Sequence, residues 1–261
     1  MHRRAAAATV LFALSSWAAG ARAETPWVWR GLVVPNGQVA LDIGGGLGHV
    51  PDPNGGSGFG LNLELKAGVG PNLELGIRTG IRADDFGRYT QADGYARPFD
   101  TETWGTRGDT VANPELHLKW AVARGPAAEL GLELAAFLPI EDGSRFGMMF
   151  ALPLALHANS IRVDTGVYIP LVFYDPTYWV VSVPIDVWIQ ATRTFWLGPV
   201  FGLRFHHWGN ERGESFPFGF GIGNAIAPNA DLRAWFLFPD ISADEAARTF
   251  GAGLAFEIRF G

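Results

Sequence analysis

The chain contains no cysteine, so it carries no disulfide framework, no thiol nucleophile and no thiolate metal site. It lacks a basic stripe as well. Without Arg3, Arg4 and Arg22, 17 basic residues face 26 acidic ones, a balance that disfavours nucleic acid. Beyond the N-terminal region no stretch is long and apolar enough to be a membrane-spanning helix. Stability must therefore come from packing and pairing alone.

What is present points outward. Arg3 and Arg4 precede an apolar run from Ala5 to Ala19, which ends in Ala21-Arg22-Ala23. A positive start, a short apolar core and an A-x-A site describe a secretory signal peptide, residues 1–23, cut before Glu24. Residues 24–36 read as a periplasmic lead-in and 37–261 as one domain. The composition is rich in membrane-type residues, with 34 Gly, 19 Phe and 10 Trp. Export without spanning helices leaves a closed barrel, because lipid tolerates no open sheet edge.

The residue pattern agrees. Leu61, Leu63, Leu65, Ala67 and Val69 alternate with Asn62, Glu64, Lys66 and Gly68. That period of two suits a strand with lipid on one face and a polar interior on the other. A soluble sandwich has the same period with the apolar face turned inward, so connectors must decide. Strands are expected at 37–49, 59–69, 73–82, 115–123, 129–138 and 146–157, then at 161–172, 179–191, 195–206, 216–225, 231–238 and 250–260. The expected fold is all-β: a closed antiparallel transmembrane β-barrel of 12 strands, with 10 as the competing count. Short turns at 70–72, 124–127, 158–160, 192–194 and 227–229 carry the Gly, Pro, Asn and hydroxyl residues that tight hairpins need. The other connections are mostly longer and more polar, the outer-membrane pattern of short periplasmic turns and longer extracellular loops. Aromatic residues gather at both strand ends: Trp120, Trp188 and Trp196 at the short turns, Phe59, Tyr178, Trp179 and Trp208 at the long loops. Trp188 and Trp196 have the parity of the lumen and fit such a belt less well.

If the apolar residues meet lipid, the lumen receives Glu64, Lys66, Glu74, Arg78, Arg82, Glu115, His117, Lys119, Glu133, Asp164, Asp186, Arg204, Arg233, Glu257 and Arg259. Two roles compete for them: cross-strand ion pairs that hold the wall, or the lining of a conduit. Many of these charges lie toward the short turns. Inward positions nearer the long loops are often glycine, which suggests a vestibule narrowing to a charged constriction. Inward-facing Pro153, Pro170 and Pro184 fall on three consecutive strands and are expected to mark bulges; a weakened seam is the alternative.

Catalytic and cofactor motifs are scarce. Gly44-Gly45-Gly46-Leu47-Gly48 lacks the helix a phosphate loop needs. His206 and His207 point to opposite faces of a strand, so they make a poor metal pair. No metal or other cofactor is expected. Ser144, Ser160, Ser182 and Ser215 sit in no recognisable arrangement with histidine and a carboxylate. An outer-membrane hydrolase would need a serine, a histidine and a polar partner converging near the outer lip. The segment 83–114, with six carboxylates, three arginines and five aromatic residues, reads as an ordered functional loop.

Three stretches carry a family resemblance: Ala67-Gly-Val-Gly-Pro-Asn-Leu-Glu-Leu-Gly-Ile77, Asn113-Pro-Glu-Leu-His-Leu-Lys119, and Ala128-Glu-Leu-Gly-Leu-Glu-Leu-Ala-Ala-Phe-Leu-Pro139. About a third of the mature chain thus resembles the transporter family associated with the phenol meta-cleavage pathway. In that family a Thr-Gly follows the last Leu-Pro; Ile140-Glu-Asp-Gly143 replaces it here. The resemblance implies an outer-membrane channel for small compounds, aromatic or apolar ones among them. The terminal strand, with Leu254, Phe256, Ile258 and Phe260 on one face, is similar to barrel insertion signals, though Gly261 follows the aromatic residue. Expected partners are outer-membrane lipid and lipopolysaccharide, the barrel-assembly machinery and a small-molecule solute. The expected function is passage of small solutes, against two rivals: a hydrolase, and a structural or adhesion barrel with a closed lumen.

Overall fold

The computed structural model describes residues 25–50, 56–82, 111, 113–140, 144–243 and 248–261. The expected signal peptide, residues 1–23, and nearly all of the 83–114 loop lie outside the described residues.

Twelve antiparallel strands close into a ring. They are β1 (Val39–Val50), β2 (Gly56–Gly70), β3 (Leu73–Arg82), β4 (Glu115–Arg124), β5 (Ala128–Phe137), β6 (Gly147–Ala158), β7 (Ile161–Val172), β8 (Tyr178–Gln190), β9 (Phe195–Trp208), β11 (Phe218–Ala227), β12 (Ala230–Phe238) and β13 (Phe250–Phe260). Each pairs with its neighbours in sequence, β9 pairs directly with β11, and β13 returns to β1 to close the seam. The five-residue β10 (Glu211–Ser215) stands outside the ring as a hairpin on the outer end of β9. Glycine-rich β11 is a full member of the barrel, so the count is twelve and not ten.

The leucines and valines are outside. Leu63 is 45% exposed, Leu75 46%, Leu118 37% and Leu132 37%, while Glu115 on the opposite face is 2% exposed. An apolar band around the whole ring faces lipid, which places this barrel in the bacterial outer membrane. Half-exposed Trp120 at a short-turn end, and Phe146 stacked on Phe173 at 5.9 Å at a long-loop end, belong to its two interfaces. Trp188, Trp196 and Tyr178 are buried inside and do not join the belts.

Neighbouring rings lie across several inward glycines. A Cβ on Gly223 would meet the Trp196 ring at 2.2 Å, one on Gly253 the Trp235 ring at 2.3 Å, and one on Gly76 the His117 ring at 2.2 Å. Each glycine is the cross-strand partner of the ring that covers it. In the outer half, β5 to β8 also turn bulky apolar residues inward: Phe137, Met149, Tyr168, Val172, Tyr178 and Val180 are buried. On this side bulky apolar residues line the upper lumen.

The prolines do not make register shifts. Pro153 and Pro170 keep β6 and β7 in register, and Pro184 does so for β8 on β9. Pro153 and Pro184 belong instead to an alternating row, Gly131, Pro153, Gly166, Pro184, Gly202 and Pro217, that crosses neighbouring strands at one level. A Cβ on Gly131 would sit 2.8 Å from Pro153 Cγ, and one on Gly166 2.9 Å from Pro153 Cα. Proline rings thus fill the space that the glycines leave. Proline has no N–H to give the ladder. Between β7 and β8 the pairing steps from Thr165–Ile185 to Tyr168–Ser182 and skips Gly166 and Val167. There the Thr165 hydroxyl donates to the Pro184 carbonyl at 2.7 Å.

Candidate functional site

The lead-in does not trail from the barrel. Residues 25–38 run across the short-turn end of the lumen and pack against the inner wall. A single 3-10 turn, Trp27–Trp29, follows Pro26, whose fixed φ suits the first position of a turn. Trp27 stacks on Trp196 at 5.0 Å and 5°, and Trp29 stacks on His157 at 5.6 Å. Val28, only 1% exposed, joins a buried cluster with Trp188, Trp196 and Trp235.

The segment lacks a strand ladder of its own, so wall side chains satisfy its backbone. The N–H groups of Val28, Leu32 and Val34 donate to Gln190 Oε1 (3.3 Å), Glu129 Oε2 (3.0 Å) and Glu74 Oε2 (2.7 Å). The carbonyl of Val28 accepts from His157 Nδ1 at 2.6 Å, and that of Arg30 from Arg162 Nη1 at 2.5 Å. The Arg30 guanidinium forks onto Asp231 and lies 5.2 Å from the Trp27 ring centre. Gly68 faces the segment so closely that a Cβ there would sit 2.1 Å from the Pro35 carbonyl oxygen. Sequence reasoning turns Glu129 and Asp231 inward, with His157 nearby, and reads 24–36 as a periplasmic lead-in, but it joins none of them to the segment and gives Gln190 no role. The signal was available, since Trp27, Trp29 and Arg30 make a tail too apolar to be left in water.

Above the segment lies a cavity of about 460 Å³. Trp27, Arg30, Leu32 and Val34 form its floor, and Pro153 and Tyr168 border it on the side of the glycine–proline row. Ten of the expected lumen residues come together on its wall: Glu64, Lys66, Glu74, Arg78, Lys119, Glu133, Asp164, Arg233, Glu257 and Arg259. Glu115, His117, Asp186 and Arg204 face inward and are buried but do not border it. Nothing is described of the Arg82 side chain.

These charges are paired. Lys66 bridges Glu64 at 3.5 Å and Glu257 at 3.3 Å, and Lys119 bridges Glu74 at 3.7 Å and Glu133 at 3.4 Å. Arg78 meets Glu115 at 2.5 Å, Arg162 meets Asp164 at 2.7 Å, and Arg233 meets Asp42. Arg259 bridges Asp231 at 2.9 Å and Glu257 at 3.1 Å. The His117 nitrogens lie 3.5 to 3.9 Å from Glu64, Glu74 and Glu115. The network runs through the wall strands and into Arg30 of the segment. Asp186 is separate: fully buried, cross-strand to Asp164, with no hydrogen bond to either oxygen among the described residues. No cluster of metal-ligating side chains occurs among the described residues.

A second group assembles at the outer lip. Tyr178 Oη lies 2.9 Å from His206 Nδ1, and His206 Nε2 lies 2.9 Å from Ser215 Oγ. Ser215 is cross-strand to Arg204.

A closed twelve-stranded ring, apolar outside and charged inside, with its own N-terminal segment across one mouth, defines a bacterial outer-membrane β-barrel. Comparison with solved structures agrees on the fold. An outer membrane channel from Pseudomonas putida is similar at a TM-score of 0.60 and 10% identity, over 90% of this chain and 99% of that one. The NanC porin is similar at 0.55 and 9%, over 85% of this chain and 99% of its own. No family model and no curated sequence matches the chain.

Proposed function

We propose that the barrel passes small solutes, entering between the long loops and held in the 460 Å³ cavity until the N-terminal segment yields. The observation that carries this reading is the cavity itself. It has the size of a small-molecule site, and its floor is one segment held by side-chain contacts and not by a ladder. The two barrels similar in fold are a channel and a porin by name. The bulky apolar residues inside β5 to β8 favour aromatic or apolar compounds, in line with the resemblance to the phenol-pathway transporters. Lipopolysaccharide around the apolar band, the barrel-assembly machinery acting on β13 and the signal peptide belong to the same reading. Purified barrels in planar bilayers test it: discrete conductance steps support a channel, and silence under every applied voltage supports a closed structural barrel.

The gap between β7 and β8 gives the reading a finer edge. Pro184→Val restores a ladder N–H beside Gly166 at a level where Pro153 and Tyr168 border the cavity. If apolar solutes leave sideways through this part of the wall, the variant takes up apolar solutes more slowly and keeps the parent's ion conductance. Equal slowing of apolar and hydrophilic solutes in a liposome assay would assign the row a purely structural role.

A further inference from the structure

Ser215, His206 and Tyr178 meet the geometric requirement for nucleophilic catalysis, and they do so far from the cavity. His206 lies near the outer end of β9, Tyr178 opens β8, and Ser215 closes β10. All three belong to the lip beneath the long loops. With its proton on Nδ1, His206 donates to Tyr178 Oη and presents the Nε2 lone pair to the Ser215 hydroxyl, 2.9 Å away. Tyr178 is 7% exposed and its ring packs with Val172 and Val180, so the group that orients the imidazole is itself fixed.

The surroundings complete the site. Arg204 stands directly opposite Ser215 across the β9–β10 pair, which places a permanent cation on the side where an oxyanion would develop. The Asp240 carboxylate interacts electrostatically with His206 and accepts from the Phe216 N–H at 3.1 Å and the Ser242 hydroxyl at 2.6 Å. Partial burial works to raise its pKa, but these donors and the neighbouring imidazole bring it below the usual carboxylate value. It therefore stays ionised beside the His206 ring.

We propose that this lip is a serine esterase centre acting on carboxylic esters. Ser215 Oγ bonds to the ester carbonyl carbon while its proton passes to His206 Nε2. The oxyanion of the tetrahedral adduct faces Arg204. Collapse breaks the ester C–O bond, and the alcohol leaves with the proton from His206. Water, deprotonated by the same nitrogen, then cleaves the acyl–Ser215 ester and releases the acid. Ser215 and His206 are the catalytic residues, and Tyr178 is a positioning residue.

The test uses the folded full-length mature chain in detergent micelles, a fluorophosphonate probe and p-nitrophenyl butyrate. Mass spectrometry should find the probe on Ser215, and Ser215→Ala should abolish labelling. Nitrophenol release should fall by about 10² to 10⁴-fold in Ser215→Ala and in His206→Asn. Tyr178→Phe should lower kcat and leave KM unchanged, since it alters the orientation of the base and not the seat of the ester. An unlabelled Ser215 in a wild-type chain with the heat-modifiable migration of a folded barrel overturns the proposal. So does release that survives Ser215→Ala. Labelling of the wild-type chain decides the matter even where a variant folds poorly.

Discussion

A mature chain lacking residues 24–36 should conduct several-fold more current per opening than its parent and should become more cation-selective. The deletion removes Trp27 from its stack on Trp196 and takes away the floor of the lumen cavity. It also withdraws the Arg30 guanidinium from Asp231 and the backbone donors from Glu129 and Glu74. Three inward carboxylates then face water with fewer positive partners, which favours cations in the pore. Single-channel recording gives the conductance, and the reversal potential across a salt gradient gives the selectivity. Gly68→Val should act in the same direction with a smaller amplitude. Its side chain has to displace Pro35, whose carbonyl oxygen would lie 2.1 Å from the new Cβ, while the rest of the segment stays tethered. A truncated chain that conducts like its parent would show that the ion-pair network closes the lumen by itself. The structural reading would then stand.

The second large effect concerns stability. Arg78→Met should cost about 3 kcal/mol in reversible urea unfolding from detergent, whereas Arg78→Met combined with Glu115→Leu should lie close to the parent. The Arg78 and Glu115 side chains are only 7% and 3% exposed, so removal of one partner leaves a charge that solvent can hardly reach. The single-variant cost sits at the low end of the range for buried pairs because His117 Nδ1 remains 3.6 Å from Glu115. A surface pair would contribute well under 1 kcal/mol and would show no such contrast between single and double variants. Equal losses in the two variants would mean that the pair's local packing, and not its charge, holds this part of the wall.

The barrel was legible because strand periodicity, connector length and the lipid constraint all depend on local sequence. Leu63 and Glu64 are neighbours in the chain, and the two-residue period assigns them to opposite faces. Once the apolar face is given to lipid, the inward positions of Glu74, Arg78 and Lys119 follow by counting. The partners of those charges do not follow. Arg233 meets Asp42 only because β12 and β1 flank β13, which is a property of ring closure. The occluding segment was harder still. It has no alternation, and the donors and acceptors that hold it come from strands spread over most of the chain. The same reason hid Ser215, His206 and Tyr178, which no spacing rule connects. The prolines invited a bulge reading from one strand at a time, whereas their arrangement is visible only across several. Sequence likewise cannot show which neighbouring ring covers an inward glycine such as Gly253.

The way the segment is anchored has a consequence for biogenesis. Its holding groups include Glu74 on β3, Glu129 on β5, His157 on β6, Arg162 on β7, Gln190 on β8 and Asp231 on β12. None of these converges until most hairpins have been laid down in register, and the cradle is complete only when β13 meets β1. Residues 25–38 are thus translated before every strand that anchors them and dock after the last of these, so their docking reports that the ring has closed.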